Sequence, residues 1–206
     1  MDLSISQLFQ QVQACALTSA PTESDLQSGI EASNRLDYVI SQAAVFSHNE
    51  SIAEVGTDQL PLMLTAYYMG VLQLAVQKPE SRKTVLEAAE GCFDRFLSLM
   101  EEYNVLTTEQ RAIWREGGYS NPGRDKAIAW LRQKKAIEIA METLKKREDE
   151  EGLREFYMLR LQHCIQETFS HLKFCKLELE MLQLRAKGPP APPPPSQGLQ
   201  YIKIDV

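Results

Sequence analysis

Apolar residues recur at intervals of three and four positions along most of this 206-residue chain, the spacing that lines one face of an α-helix. The pattern predicts a first helix over residues 3–17, capped by Ser4 or Ser6, and a second over 22–44. A third helix is expected over 57–77. It is apolar on most sides, which is typical of a helix buried in a core.

The second half of the chain continues in the same way. A fourth helix is expected over 79–103, followed by a loop-like connection with a short helix near 109–114. The fifth helix begins at Arg124, and the sixth runs over 153–187. Strand patterns are nearly absent, so the sequence predicts an all-α fold, an antiparallel array of about six to seven helices. The helix pairs are tetratricopeptide-like, although the repeat of about 34 residues is not found.

The predicted helices form one domain, residues 1–187, which the chain length favours. Residues 188–206 are expected to be a proline-rich linker and the start of a further region, with the natural chain continuing beyond them. The stretch PPAPPPP is either an extended polyproline II spacer or a ligand for proline-reading domains. The last eight residues, LQYIKIDV, alternate apolar and polar positions and suit a strand or an extended docking peptide.

Composition and motifs exclude several classes of protein. With 44% hydrophobic and 24% charged residues, the chain is typical of a soluble globular protein. It has no signal segment and no apolar run of roughly 18 residues, so we expect a cytoplasmic protein that binds no membrane. It has no nucleotide-binding or hydrolase motif and only three histidines. We therefore expect no catalytic residues, no enzyme activity and no cofactor.

Metal and disulfide chemistry are not expected either. The four cysteines, Cys15, Cys92, Cys164 and Cys175, lie far apart and never form a CxxC pair. All four are predicted to be reduced thiols, mostly buried. His171 and Cys175 share a helical face, but two ligands without nearby carboxylates do not make a metal site.

Charge is unevenly distributed along the chain, whose formal net charge is -6. Residues 1–60 hold one cation and eight acids, whereas residues 124–147 hold eight cations and three acids. An acidic chain argues against nucleic-acid binding, which usually involves a basic domain. The basic segment is expected to contact an acidic protein surface instead.

The basic segment RDKAIAWLRQKK, residues 124–135, opens the fifth predicted helix. Its cations are Arg124, Lys126, Arg132, Lys134 and Lys135. They form either a solvated helix surface, with ion pairs worth only about 0.2–0.5 kcal/mol each, or a docking surface, because the first three have no acid four residues away. An apolar stripe of the same helix is expected to face the interior. It comprises Ala127, Ile128, Leu131, Ile137, Ile139, Ala140, Met141 and Leu144.

Three segments carry a family resemblance. They are VFSHNESIAEVGTDQL at 45–60, RDKAIAWLRQKKAIE at 124–138 and LREFYMLRL at 153–161. In order and spacing they resemble the alpha-four family, also called the immunoglobulin-binding protein family, whose members are TAP-type regulators associated with type 2A protein phosphatases. The more specific matches are the Phe-Ser-x-Asn-Glu core and the Arg-Glu-aromatic-Tyr-x-Leu-x-Leu run.

The resemblance implies a tetratricopeptide-like adaptor that binds the catalytic subunit of type 2A protein phosphatases and close relatives. The family holds this subunit in a latent, protected form, apart from the scaffold subunit, in target-of-rapamycin signalling. Its contact uses an Arg, matched by Arg124, and a Lys three residues later. That Lys position falls on Ala127, so the second contact is either supplied by Lys126 or displaced. The basic cluster that follows is matched by Arg132, Lys134 and Lys135.

The sequence leaves two functions open. The first is regulation of a phosphatase by a monomer that binds it through the basic segment. The second is a general tetratricopeptide-like scaffold that captures a peptide of another partner in its concave groove.

Overall fold

The molecule contains seven α-helices in the part of the chain that its computed structural model describes, residues 3–47, 50–117, 123–147 and 149–186. No strand occurs within these ranges, and the predicted all-α fold is confirmed. Among the described residues, no helix combines the length and the hydrophobicity that a membrane span requires. The helices are α1 (Ile5–Leu17), α2 (Glu23–Gln42), α3 (Thr65–Ala75), α4 (Arg82–Glu102), α5 (Thr108–Glu116), α6 (Arg124–Leu144) and α7 (Glu150–Ala186).

Some element boundaries differ from the sequence prediction. The third helix is split, because Leu60–Leu64 form a 3-10 helix with Pro61 in its first turn and α3 begins only at Thr65. Proline has no backbone N–H to donate, so it favours a short, tight turn ahead of the regular helix. The short helix expected near 109–114 is present as α5, and α7 begins at Glu150 rather than Leu153. The proline-rich stretch and LQYIKIDV lie outside the described residues.

Capping boxes start three of the helices. In each, the side chain before the helix accepts a hydrogen bond from a backbone N–H three residues later, and the side chain there accepts one in return. The pairs are Ser4 with Gln7 in α1, Thr22 with Asp25 in α2, and Thr107 with Gln110 in α5. These local signals explain why the starts of α1 and α2 are readable from the sequence.

The core forms where α3 packs against α1, α2 and α4, and where α7 packs against α4 and the 3-10 helix. Its centre is aromatic: the ring centroids of Tyr67 and Tyr68 are 5.4 Å apart, and those of Tyr67 and Phe96 are 5.6 Å apart. Helix α6 is peripheral, since it packs mainly against α7. The long helix α7 therefore joins α6 to the rest of the molecule.

Two arginines fix α7 in place. Arg82 of α4 donates hydrogen bonds to both carboxylate oxygens of Glu178 at 2.6 and 2.7 Å. Near the other end of α7, Arg154 donates to the carbonyl oxygens of Ile52 and Val55 at 2.7 and 2.8 Å. Hydrogen bonds to charged groups are roughly twice as strong as neutral ones, so both ends of α7 are held against the core.

Helices α3 and α4 approach closely at Gly70. A Cβ atom at this position would lie 2.6 Å from Cε1 of Phe93. The Phe93 ring is fully buried and stacks on His171 of α7 with ring centroids 5.1 Å apart. Because the ring is enclosed on both sides, it cannot move away, and glycine is required at this contact.

Replacing Gly70 by alanine tests this close approach. We expect Gly70→Ala to lower the free energy of unfolding by about 1–3 kcal/mol, because the added methyl group overpacks the core. The control is Gly91→Ala in α4, where no atom lies within 4 Å of the new Cβ. That control should raise the free energy by about 0.5–1 kcal/mol, since alanine favours a helix. Urea unfolding followed by circular dichroism measures both, and equal effects would contradict the prediction.

Candidate partner-binding surface

The inner face of α6 contacts α7 through apolar and polar side chains. Trp130 stacks on Phe169 with ring centroids 6.4 Å apart. One turn later, Lys134 Nζ donates a hydrogen bond to Glu167 Oε1 at 3.1 Å. Further along the helix, this face buries Ile137, Met141 and Leu144. These contacts fix the rotation of α6 about its own axis.

Glu167 is the polar centre of this contact. Its carboxylate accepts hydrogen bonds from Tyr67 Oη of α3 at 2.6 Å and from Lys134. One ring nitrogen of His163 lies 3.5 Å from this carboxylate, and the other lies 3.2 Å from Glu138 of α6. Burial raises the pKa of Glu167, but Tyr67, His163 and Lys134 together outweigh burial and hold this pKa below its ordinary value of 4.5.

The five cations of the basic segment do not share one face of α6. Lys134 turns inward to Glu167, and Lys126 reaches towards Glu109 of α5, with 3.8 Å between Nζ and Oε1. The remaining three are exposed and make no ion pair or hydrogen bond with any other residue that the structure describes. They are Arg124, Arg132 and Lys135.

Apolar side chains lie among these three cations. Ile128 is 39% exposed, Leu131 is 68% exposed and Ile139 is 61% exposed. The prediction that they face the interior is wrong, because Trp130 and the buried residues after it set the helix rotation and leave these three turned away from α7. We call this surface the outer face of α6; it comprises Arg124, Ile128, Leu131, Arg132, Lys135 and Ile139.

A cleft of about 630 Å³ lies between α5, α6 and α7, beside the outer face. Its apolar lining consists of Ile113, Ala127, Trp130, Leu131 and Phe169. Helix α5 is held in position because Gln110 donates to Gln162 of α7 at 3.2 Å, and Gln162 donates to the carbonyl of Val105 at 2.8 Å. The cleft is therefore preformed, and its volume falls within the range of about 300–1,000 Å³ that is usual for binding pockets.

The sequence reasoning missed this cleft. A signal for it was present, because Trp130 and Leu131 are adjacent and a helix cannot turn two neighbouring side chains to one narrow buried stripe. One of them had to point elsewhere. In the structure Trp130 packs on α7, and Leu131 lies at the mouth of the cleft, largely exposed.

One group of metal-ligand side chains lies together in the described part of the chain: His163, Cys164 and Glu167 have ligand atoms within 4.8 Å of one another. Glu167 is already bonded to Lys134 and Tyr67, and burial raises the pKa of the Cys164 thiol to about 12. A cation would have to displace the Lys134 ammonium and deprotonate the thiol. The group therefore acts as a polar contact between α6 and α7 rather than as a metal centre.

The chain is similar in sequence to a known protein family and to several of its members. A profile described as the TAP42-like family matches residues 3–201. The chain is 25% identical over 153 residues to the PP2A regulatory subunit TAP46 of Oryza sativa subsp. japonica, covering 72% of this chain and 36% of that protein. It is 25% identical over 202 residues to the serine/threonine-protein phosphatase 4 regulatory subunit ppfr-4 of Caenorhabditis elegans, covering 86% and 61%.

A yeast relative and a solved structure complete the comparison. The type 2A phosphatase-associated protein 42 of Saccharomyces cerevisiae is 26% identical over 181 residues, covering 70% of this chain and 50% of that protein. The chain thus spans less than two thirds of the length of each of these three relatives. A structure titled "The Structure of Tap42 Alpha4 Subunit" matches with a TM-score of 0.71 at 22% identity, over 89% of this chain and all of that one. This likeness supports the all-helical fold.

The lowered pKa of Glu167 predicts how stability depends on pH. Its folded pKa is depressed, so the stabilisation is present above the ordinary carboxyl pKa of 4.5 and is lost as pH falls through the folded value. At pH 7 we expect the parent protein to melt at a higher temperature than Glu167→Gln. The difference should shrink as the pH is lowered below about 4.

Thermal unfolding measured by circular dichroism at several pH values checks this. Glu151→Gln is the control, because its carboxylate is 91% exposed and its replacement should change the melting temperature little at any pH. A difference between parent and Glu167→Gln that stays constant down to low pH would contradict the proposed charge stabilisation.

Proposed function

The chain belongs to the TAP42-like family, and from this membership we propose that it is a phosphatase-associated regulatory protein and not an enzyme. The relatives compared above are named as regulatory subunits of PP2A or phosphatase 4, or as a type 2A phosphatase-associated protein. We propose that the partner of this chain is the catalytic subunit of a type 2A phosphatase or a close relative. The helical domain, residues 1–187, is the part proposed to bind it.

The proposed docking surface is the outer face of α6, with Arg124, Arg132 and Lys135 as its main cations. One observation carries this proposal: three cations without described partners lie beside exposed apolar side chains, in a chain of net charge -6. Single exposed apolar residues are common on protein surfaces, but here Ile128, Leu131 and Ile139 lie on the same helix face as the three cations. Arginine and apolar residues together are typical of protein interfaces.

The two other cations of the basic segment have supporting parts in this proposal. Lys126 points towards α5 rather than along the outer face, and it is only loosely paired with Glu109 at 3.8 Å, so it remains available to an acidic partner. Lys134 is bonded to Glu167, and it contributes mainly by holding α6 in the orientation that presents the other cations. Attraction between these cations and an acidic partner would raise the rate of association, and the affinity would fall as the salt concentration rises.

The wider role follows from the same proposal. Bound in this way, the catalytic subunit would be held in a latent, protected form apart from its scaffold subunit, in target-of-rapamycin signalling. We place the protein in the cytoplasm as a monomer. The excess of acids in residues 1–60 would repel nucleic acid and anionic membranes.

A second candidate function has its own observation. A groove of about 560 Å³ lies between α1, the 3-10 helix, α6 and α7, and it mixes Phe9, Leu64 and Tyr157 with Arg160. A general scaffold would capture a peptide there. Such binding would survive charge reversal on the outer face of α6 and would fail when the lining of this groove is changed.

Charge reversal on the outer face separates the two functions. We expect Arg124→Glu/Arg132→Glu/Lys135→Glu to weaken binding of a purified type 2A catalytic subunit by about 2 kcal/mol or more, roughly thirty-fold, because attraction becomes repulsion. Titration calorimetry measures the affinity, and circular dichroism checks that helix content is unchanged.

The matched control reverses three cations elsewhere, Lys83→Glu/Lys176→Glu/Arg185→Glu, and carries the same change in net charge. It should bind like the parent. Equal affinity for the outer-face variant and this control would move the docking surface away from α6. Absence of binding by the parent itself would reject the proposed phosphatase partner.

A further inference from the structure

Gln166 of α7 lines the cleft between α5, α6 and α7. Its amide nitrogen and oxygen are both buried, and neither has a hydrogen-bond partner within the described residues. Gln162, one turn earlier on α7, differs because it accepts a hydrogen bond from Gln110 and donates one to the carbonyl of Val105. Gln162 is therefore hydrogen-bonded and supports α5, whereas the side-chain amide of Gln166 is unsatisfied.

An unsatisfied buried amide destabilises the free protein, because its donor and its acceptor lose their hydrogen bonds to water and form none within the protein. Buried polar groups are paired in the great majority of cases, so this exception calls for an explanation. The Gln166 side chain as a whole is only partly buried and lines the cleft, so the occupant would pair with the amide after a change in the torsions of the Gln166 side chain. The group that complements both of its atoms is another amide.

A main-chain peptide group supplies such an amide. Backbone inside an α-helix already uses its N–H and C=O internally, whereas an extended segment presents both groups to a neighbour. The unsatisfied Gln166 amide therefore favours an extended segment over a helix as the occupant of the cleft.

The rest of the cleft specifies the side chains of that segment. Its volume of about 630 Å³ and its lining by Trp130, Leu131 and Phe169 suit a large apolar side chain. Lys173 of α7 also lines the cleft and has no ion pair with any residue that the structure describes, whereas Glu109 of α5, which lines it too, faces Lys126. An acidic residue next to the apolar one would therefore find a free cation.

We propose that the cleft binds an extended segment of the phosphatase catalytic subunit, in which a large apolar side chain enters beside Trp130, a peptide group pairs with Gln166 and an acidic residue contacts Lys173. This inference rests on the proposed function and adds a second part to the docking surface. The cations of the outer face attract the partner, and the cleft holds one segment of it.

The first test is Gln166→Leu in the full chain. Replacing an unsatisfied amide by an apolar group of similar shape leaves the melting temperature of the free protein unchanged or raises it. Affinity for the purified catalytic subunit falls about ten-fold, because the peptide group then enters the cleft unpaired. A purely structural role for Gln166 would give lower stability and unchanged affinity. Gln162→Leu is the contrast, and it lowers the melting temperature.

The second test is Leu131→Asp, with Leu184→Asp as its matched control. Both leucines are exposed to a similar degree, 68% and 65%, and both replacements add one negative charge. Leu184 lies near the end of α7 and does not line the cleft. Leu131→Asp weakens binding about ten-fold or more, and Leu184→Asp leaves it unchanged.

The outcomes separate this inference from the proposed function. Gln166→Leu is the deciding variant, because Leu131 also belongs to the outer face. If Gln166→Leu binds at full strength while the charge reversal on the outer face abolishes binding, the cleft proposal is overturned and the phosphatase partner stands. Equal losses in Leu131→Asp and Leu184→Asp would also overturn it, since a general effect of added charge would then explain both. If the parent does not bind the catalytic subunit, the proposed function itself fails.

Discussion

The contact between α6 and the Glu167 carboxylate helps to determine which face of α6 is exposed to solvent. Glu167 of α7 accepts a hydrogen bond from Tyr67 in the core and another from Lys134 of α6. This pair of bonds connects the peripheral helix to the centre of the molecule and, with the Trp130–Phe169 stack, sets the rotation of α6. Were α6 turned by half a revolution, the unpaired cations would face α7 and the cleft would lose its wall.

The need to fix the rotation of α6 explains why polar residues occur at its buried contact with α7. Apolar packing alone tolerates small rotations of a helix, whereas a hydrogen-bonded carboxylate has a defined geometry. Arg82 and Arg154 have the same effect on α7, since each donates to several acceptors on neighbouring segments. The long helix is thus positioned by directional bonds near both of its ends, and α6 is positioned on it.

Much of the fold could be predicted from the sequence, because its causes are local. Capping boxes at Ser4 and Thr22 and the periodic apolar residues fix where helices begin and which face is buried. The rotation of α6 could not be predicted in this way, since apolar residues occur on both of its sides and only contacts with α7 distinguish Ile137 from Ile139. The unsatisfied amide of Gln166 could not be predicted either, because it depends on whether the surrounding side chains provide hydrogen-bond partners. The cations of the basic segment were found by composition, but their division into inward and outward groups required the structure.

The peripheral attachment of α6 has a consequence for how such a protein can diverge. Because α6 packs mainly against α7, substitutions on its outer face leave the packing of α1 to α4 untouched. If the proposed docking surface is correct, folding stability and partner preference are encoded by largely separate sets of residues. A lineage can accumulate changes in recognition one at a time while every intermediate sequence still folds. The helical fold itself is shared with a solved structure at only 22% identity.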